Sequence, residues 1–112
     1  MRRAVVAGVV GAALVVLTWG GGLMAGSGDV GVRLFLFRPA TLEVKAGSAV
    51  TWVNDDEIRH TVTSGGPHGR DGKFDEALGG KGARATVTFD QPGVYPYFCS
   101  RHQAMRGEVR VR

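Results

Sequence analysis

The chain has 112 residues, of which 44% are hydrophobic and 21% are charged, and its formal net charge is +4 at pH 7. This length allows one small domain. The charge is too small to predict nucleic-acid binding, which requires a basic stripe or patch. The chain has one cysteine, so an internal disulfide is excluded and the thiol is expected to be free or to act as a ligand.

The first part of the chain, residues 1–28, is predicted to be a signal peptide or membrane anchor with a Gly-rich linker. Arg2 and Arg3 give a positive start, and residues 4–19 form an uncharged apolar run. Signal peptides have apolar runs of about 7 to 15 residues, whereas a membrane span needs about 20. Residues 4–25 reach that second length, so a hydrophobic anchor helix is also consistent with the sequence.

Cleavage and retention of this segment both stay open. A small-residue cleavage motif at residues 25–27 is weak, because other small residues nearby fit almost as well. Either outcome predicts an extracytoplasmic domain. Removal of residues 1–27 would leave 12 basic and 10 acidic residues, a net charge of +2, which again argues against nucleic acid as a partner.

Residues 29–112 form the predicted domain, which is all-β. Short runs rich in Val, Phe, Thr and Tyr alternate with turn residues, as is typical of strands. Seven strands are predicted, at residues 32–37, 41–44, 49–54, 60–64, 84–89, 94–98 and 108–111. This number and spacing favour a Greek-key antiparallel β-sandwich. The Gly-rich residues 65–82 are predicted to be a surface excursion, with one helical turn at residues 75–78.

The strand at residues 94–98 has two unusual features. Pro96 cannot donate a backbone hydrogen bond, so this strand is expected to lie at an edge or to bulge there. Alternation places Tyr95, Tyr97 and Cys99 on one face, which would direct Cys99 into the end of the sandwich. Tyr95 follows a Pro-Gly pair, a typical position for a corner tyrosine whose hydroxyl fixes a crossing loop.

The loop after this strand carries a set of metal-binding side chains. Cys99, His102 and Met105 are separated by two residues each, and this spacing lets a tight turn bring them to one ion. A thiolate, an imidazole and a thioether form a soft ligand set that favours copper. His60 begins a predicted strand that a Greek-key sandwich can place beside the Cys99 strand. The predicted site is therefore a type 1 copper ion in a plane of His60, Cys99 and His102, with Met105 axial.

The sequence resembles the cupredoxins of the plastocyanin and amicyanin group. The matching segments cover nearly all of the domain: residues 37–56 (FRPATLEVKAGSAVTWVNDD), 60–63 (HTVT), 71–75 (DGKFD) and 92–111 (PGVYPYFCSRHQAMRGEVRV). The spacing Cys-x2-His-x2-Met is similar to the short ligand loop of amicyanins. The resemblance implies a β-sandwich in which the four predicted ligands hold one copper ion that carries single electrons between redox proteins.

Two positions depart from the family pattern. Many members have Asn directly after the first ligand histidine, where it holds the cysteine loop. Thr61 occupies this position, so either its hydroxyl makes that bond or the bond is absent. Plant-type plastocyanins have an exposed Tyr before the cysteine as a second electron port. Phe98 occupies this position without acidic neighbours, which argues against such a port.

Structural roles are the alternatives for several of these residues. Cys99 and Met105 could simply fill the core, and His60 could be a satisfied strand residue. His68 has no partner at a suitable spacing and is expected to be solvated, whereas Trp52 is expected in the core.

The leading functional hypothesis is an extracytoplasmic, monomeric one-electron carrier. It is not an enzyme, because four side chains fill the coordination positions and leave none for a substrate. Arg59, Arg101 and Arg106 are either ordinary solvated charges or a ring around the copper that binds an acidic redox partner.

Three alternatives remain. Copper storage or delivery would use the same ligands, although such proteins usually have Met-rich or exposed sites. A structural sandwich would bind no metal. Zinc also accepts two histidines and a cysteine, but the methionine argues against it.

Overall fold

A computed structural model describes residues 27–112, in which nine β-strands form two sheets. The strands in chain order are β1 (Ser27–Arg33), β2 (Leu36–Arg38), β3 (Thr41–Val44), β4 (Ser48–Asn54), β5 (His60–Gly66), β6 (Gly69–Leu78), β7 (Arg84–Phe89), β8 (Gly93–Phe98) and β9 (Arg106–Val111). One sheet has the order β2-β1-β4-β7, and the other has the order β3-β9-β8-β5-β6. The predicted all-β sandwich is confirmed.

The predicted signal or anchor segment at residues 1–28 lies outside the described residues, apart from its last two positions. Within residues 27–112 no helix is long and apolar enough to cross a membrane.

The sheets are mixed, so the prediction of a purely antiparallel sandwich is wrong. β1 pairs in parallel with β4, and β3 pairs in parallel with β9. The other pairings are antiparallel. Alternation along one strand shows that it has an inner and an outer face, but it does not show which distant strand will lie beside it.

A two-residue turn divides the predicted strand at residues 32–37. Leu34 and Phe35 have φ values of 53° and 59°, and β2 folds back antiparallel on β1. Consecutive positive φ angles are typical of a type I′ hairpin turn, which normally uses Asn and Gly. The continuous-strand prediction is wrong because Leu and Phe normally favour extended backbone, and each costs about 1–2 kcal/mol in the left-handed region.

The Gly-rich segment at residues 65–82 is mostly a strand, and the predicted helical turn at residues 75–78 is wrong. β6 pairs antiparallel with β5 at the edge of the five-stranded sheet. Most of its side chains are exposed, and Leu78 is its one fully buried residue. Because this edge strand has little apolar alternation, the sequence pattern does not reveal it.

The core lies between the two sheets. Trp52 on β4 is fully buried, as predicted. Its ring packs edge to face on Tyr97 of β8, with the ring centroids 5.2 Å apart. Phe89 of β7 lies on another side of the indole, at 6.5 Å between centroids.

The predicted alternation of β8 is confirmed for Tyr95, Tyr97 and Cys99, but Phe98, predicted on the opposite face, is also buried. Tyr97 and Cys99 are buried, Tyr95 is half-buried and Pro96 is exposed. The Tyr95 hydroxyl donates to the carbonyl of Gln91 at 2.7 Å, which confirms a local corner tyrosine. β8 is an internal strand, but its pairing with β5 extends only as far as Tyr97. The ladder with β5 therefore ends just before the proline, whereas the ladder with β9 continues past it.

Candidate metal centre

His60, Cys99 and His102 meet at one end of the sandwich, which is called the copper end below. His60 begins β5, Cys99 directly follows β8, and these two strands are paired through Thr63 and Phe98. The Cys99 Sγ atom lies 3.8 Å from His60 Nδ1 and 3.7 Å from His102 Nδ1. All three potential ligand atoms lie within 4.8 Å of one another. The structure thus brings together these three predicted site residues.

The distances fit a bound metal ion. A sulfur ligand at about 2.3 Å and a nitrogen ligand at about 2.0 Å, arranged in one plane around an ion, are separated by about 3.7 Å. Cys99 and His60 are fully buried, whereas His102 is half-buried. Of these three side chains, only His102 therefore connects the site with solvent.

The ligand loop is closed by its own backbone. The Cys99 amide donates to the Met105 carbonyl at 3.1 Å, and the Met105 amide donates to the His102 carbonyl at 2.9 Å. Met105 is 2% exposed and belongs to the same buried cluster as Cys99. These bonds restrain the three residues of the Cys-x2-His-x2-Met motif relative to one another.

A family model for copper-binding proteins of the plastocyanin/azurin family matches residues 25–112. The chain belongs to this family. The resemblance to cupredoxins is confirmed, and the family together with the sulfur and imidazole donors indicates one copper ion as the cofactor.

Individual relatives agree with this assignment. Amicyanin-alpha from Methylorubrum extorquens is 33% identical over 87 residues, which cover 78% of this chain and 73% of that protein. The plastocyanin of Scenedesmus fuscus is 31% identical over 98 residues, which cover 75% of this chain and 100% of that protein. The solved structure of a purple cupredoxin from Nitrosopumilus maritimus superposes with a TM-score of 0.69 at 29% identity, covering 76% of this chain and 99% of that chain.

In the chain described here, Thr61 holds the cysteine loop through its hydroxyl. The Ser100 amide donates to Thr61 Oγ1 at 2.8 Å. The Thr61 amide in turn lies 3.4 Å from Cys99 Sγ and donates to it. Of the two alternatives for this position, the structure therefore supports the one in which threonine replaces the family asparagine functionally.

The Thr61 hydroxyl is also part of a chain of hydrogen bonds that runs from Ser100 to Asp75. The Asp75 carboxylate accepts from the Thr63 hydroxyl at 2.9 Å. Thr63 must then accept from the Thr61 hydroxyl at 2.9 Å, and Thr61 accepts from the Ser100 hydroxyl at 3.1 Å. The cysteine loop is thereby tied to the carboxylate of Asp75 on the edge strand β6.

Asp56 is a site residue that the sequence analysis missed. Its Oδ2 atom lies 2.8 Å from His60 Nε2, so a proton on Nε2 leaves the lone pair of Nδ1 directed toward Cys99. The same carboxylate accepts the amides of Leu34 at 2.7 Å and Phe35 at 3.1 Å. An acidic residue four positions before a histidine in a non-helical segment is not a recognisable motif, so this contact could not be predicted from the sequence.

The electrostatics of Asp56 follow from these contacts. Burial acts to raise its pKa, but hydrogen bonds from the Phe35 amide, the Leu34 amide and His60 together lower the pKa below its ordinary value of 3.8. Asp56 is therefore ionised at neutral pH, and its carboxylate can accept hydrogen bonds from all three donors.

Two of the three predicted docking arginines lie beside one another at the copper end. Arg59 and Arg101 line a surface cleft that also includes His60 and Ser100. Arg106 is exposed, and its guanidinium donates to the Gln103 carbonyl at 3.3 Å. Outside the site, His68 is exposed, as predicted.

Proposed function

We propose that this protein is an extracytoplasmic one-electron carrier with a single type 1 copper ion that His60, Cys99, His102 and Met105 would hold. The observation that carries the proposal is a buried thiol placed 3.8 Å and 3.7 Å from the Nδ1 atoms of two histidines. Bound copper supplies the exchange between Cu(I) and Cu(II). Such a donor set is typical of electron-transfer copper sites.

The residues around the ligands keep the site rigid. Backbone bonds close the ligand loop, Thr61 holds Ser100, and Asp56 holds the His60 ring. A site whose ligands are already oriented needs little rearrangement when its charge changes by one, which favours rapid electron transfer. Because the four proposed ligands would fill the coordination positions, we propose a carrier and not an enzyme.

Electrons would enter and leave through the edge of His102. This ring is half-buried, whereas His60 and Cys99 are fully buried. Exposed Arg59 and Arg101, which line one cleft at the copper end, favour a redox partner with an acidic docking face. Electron-transfer rates with such a partner should therefore fall as salt is added, and rates independent of salt would contradict this part of the proposal.

The position of the N-terminus bears on membrane attachment. β1 begins at Ser27, which lies beside Ala49 of β4. Five residues later, Val32 of β1 lies beside Asn54, at the copper end. Along a strand this places Ser27 about 17 Å from the copper end. If residues 4–25 are retained as an anchor, the copper end would face away from the membrane. Mass spectrometry of the protein from cell fractions would show whether the segment is retained, and gel filtration would test the proposed monomer.

The central experiment is the visible and redox spectroscopy of the copper-loaded protein beside a Cys99→Ala control. A carrier should show an intense thiolate-to-copper absorption band that disappears on one-electron reduction and returns on oxidation. The control should lack the band. Copper binding without reversible reduction would support storage or delivery, and the absence of metal binding would support a structural sandwich.

A further inference from the structure

The turn between β1 and β2 has an unusual sequence for its geometry. Leu34 and Phe35 both have left-handed backbone angles. They are 67% and 48% exposed, respectively. Leu36 and Ile58 add further exposed apolar surface, at 47% and 41%. Backbone outliers of this kind persist only where the surrounding structure holds them, and they are concentrated at ligand clamps and functional sites.

One carboxylate holds this turn. Asp56 accepts the Leu34 amide through Oδ1 at 2.7 Å and the Phe35 amide through Oδ2 at 3.1 Å. Its Oδ2 atom also lies 2.8 Å from Nε2 of His60. The side chain of Asp56 is only 12% exposed, although the residues that donate the two amides are exposed. A single side chain thus joins the turn to an imidazole of the copper site.

The turn in return places an aromatic ring across both imidazoles. The Phe35 ring centroid lies 5.0 Å from that of His102 and 5.5 Å from that of His60, with interplanar angles of 88° and 85°. Within residues 27–112, the ring nitrogens of His102 have Cys99 Sγ as their one hydrogen-bond partner. Packing by Phe35 therefore restrains this ring together with the His60 ring, whose centroid lies 5.1 Å away.

We propose that Asp56 is a positioning residue that couples the Leu34 and Phe35 turn to the copper site, so that Phe35 is held as a cover across the His60 and His102 imidazoles. The proposal rests on the proposed ligand roles of these two histidines. Asp56 fixes the His60 ring directly and the His102 ring indirectly, through the turn and Phe35. Successive amides of an extended backbone point in opposite directions, so an extended segment could not direct both amides to one carboxylate. The left-handed turn makes both hydrogen bonds possible.

The test compares Asp56→Asn with Asp55→Asn. Asparagine at position 56 has one carbonyl oxygen in place of two carboxylate oxygens, so it cannot accept all three donors. Asp55 is a matched control, because its loss removes the same charge one position away, and its carboxylate contacts Arg33 at 4.0 Å on the surface.

Amide hydrogen exchange is measured first, by NMR on the metal-free protein. Asp56→Asn should make the Leu34 and Phe35 amides exchange about tenfold faster or more, because their charged acceptor is lost, and Asp55→Asn should not. Unchanged protection of these two amides in Asp56→Asn would overturn the proposal. This measurement does not require copper, so its outcome is independent of whether the proposed electron carrier is correct.

The copper-dependent arm uses the Cu(I) protein. Asp56→Asn should remove the slowly exchanging Nε2 proton of His60 and broaden or shift the His102 ring signals. Phe35→Leu should alter the ring-carbon proton signals of His102 and His60, which both pack on Phe35. The protection of the Leu34 amide and the slow exchange of the His60 Nε2 proton should be kept, because the hydrogen bonds to Asp56 are unchanged. The Phe35→Leu variant also preserves the test if Asp56→Asn does not fold. His102 signals that are indifferent to both substitutions would show that the turn is not a cover for the site.

Discussion

The buried hydroxyl of Tyr97 allows us to predict both the direction and the magnitude of a change in the free energy of unfolding. Tyr97 is 1% exposed, and its hydroxyl has no hydrogen-bond partner among residues 27–112. A buried polar group without a partner costs about 1–3 kcal/mol, part of which is recovered when the group is removed. We therefore expect Tyr97→Phe to unfold with a free energy that is equal to that of the wild type or about 1 kcal/mol larger.

The pH dependence gives the second part of this prediction. Burial raises the pKa of Tyr97 from 10.0 to about 12, and the neighbouring Trp52 indole acts in the opposite direction. Between these values the unfolded chain loses the phenol proton while the folded protein keeps it, so the wild-type stability falls as pH rises. A shift of about two pKa units corresponds to about 3 kcal/mol. The contribution of this pKa shift to the free energy of unfolding is fully present below pH 10 and is lost by about pH 12.

Denaturant unfolding of the metal-free wild type and Tyr97→Phe at several pH values from neutral to strongly alkaline would measure both parts. The other ionisable groups are the same in both proteins, so the difference between the two curves isolates Tyr97. Tyr95→Phe is the control. Its hydroxyl donates to the Gln91 carbonyl at 2.7 Å, so that variant should lose about 1 kcal/mol at neutral pH. Destabilisation of Tyr97→Phe at neutral pH, or parallel curves at high pH, would refute the reasoning.

Three further predictions concern the site and its surroundings. Thr61→Val should lower stability by about 2 kcal/mol and disturb the copper band, because the Ser100 amide loses its acceptor; Thr61→Ser, which keeps the oxygen, should not, and equal effects of the two would contradict the role of the hydroxyl. Gly107→Ala should cost about 2 kcal/mol in thermal or denaturant unfolding, because a Cβ there would lie 3.0 Å from a backbone carbonyl and overlap a buried hydroxyl. Gly79→Ala, which has open space around it, should be nearly neutral. Arg101→Glu should weaken or reverse the salt dependence of electron transfer to an acidic partner, and an unchanged dependence would exclude this residue from the docking face.

The ligand loop is the part of the site that could be predicted most directly from the sequence. Cys99, His102 and Met105 lie within seven residues, and their spacing and chemistry are local properties that do not depend on the rest of the fold. His60 needed one further inference, that its strand would lie beside β8. The pairing of β5 with β8 supports that inference.

The alternating strands were also evident, because alternation reflects one buried and one exposed face. β6 was missed because an exposed edge strand has no such pattern. The parallel pairing of β1 with β4 was missed because the register between distant strands is not written in either strand alone.

The surroundings of the ligands were decided by the tertiary structure. Asp56 and the Leu34 amide are 22 residues apart in the chain, and Thr61 and Ser100 are 39 residues apart. The left-handed turn is also unexpected from its own residues, since Leu and Phe disfavour that backbone conformation. Residue type and local spacing determined which side chains could bind copper. The contacts that orient and cover them arise only when the two sheets bring distant segments together, because hydrogen bonds and ring packing act over a few ångströms in space and not along the chain.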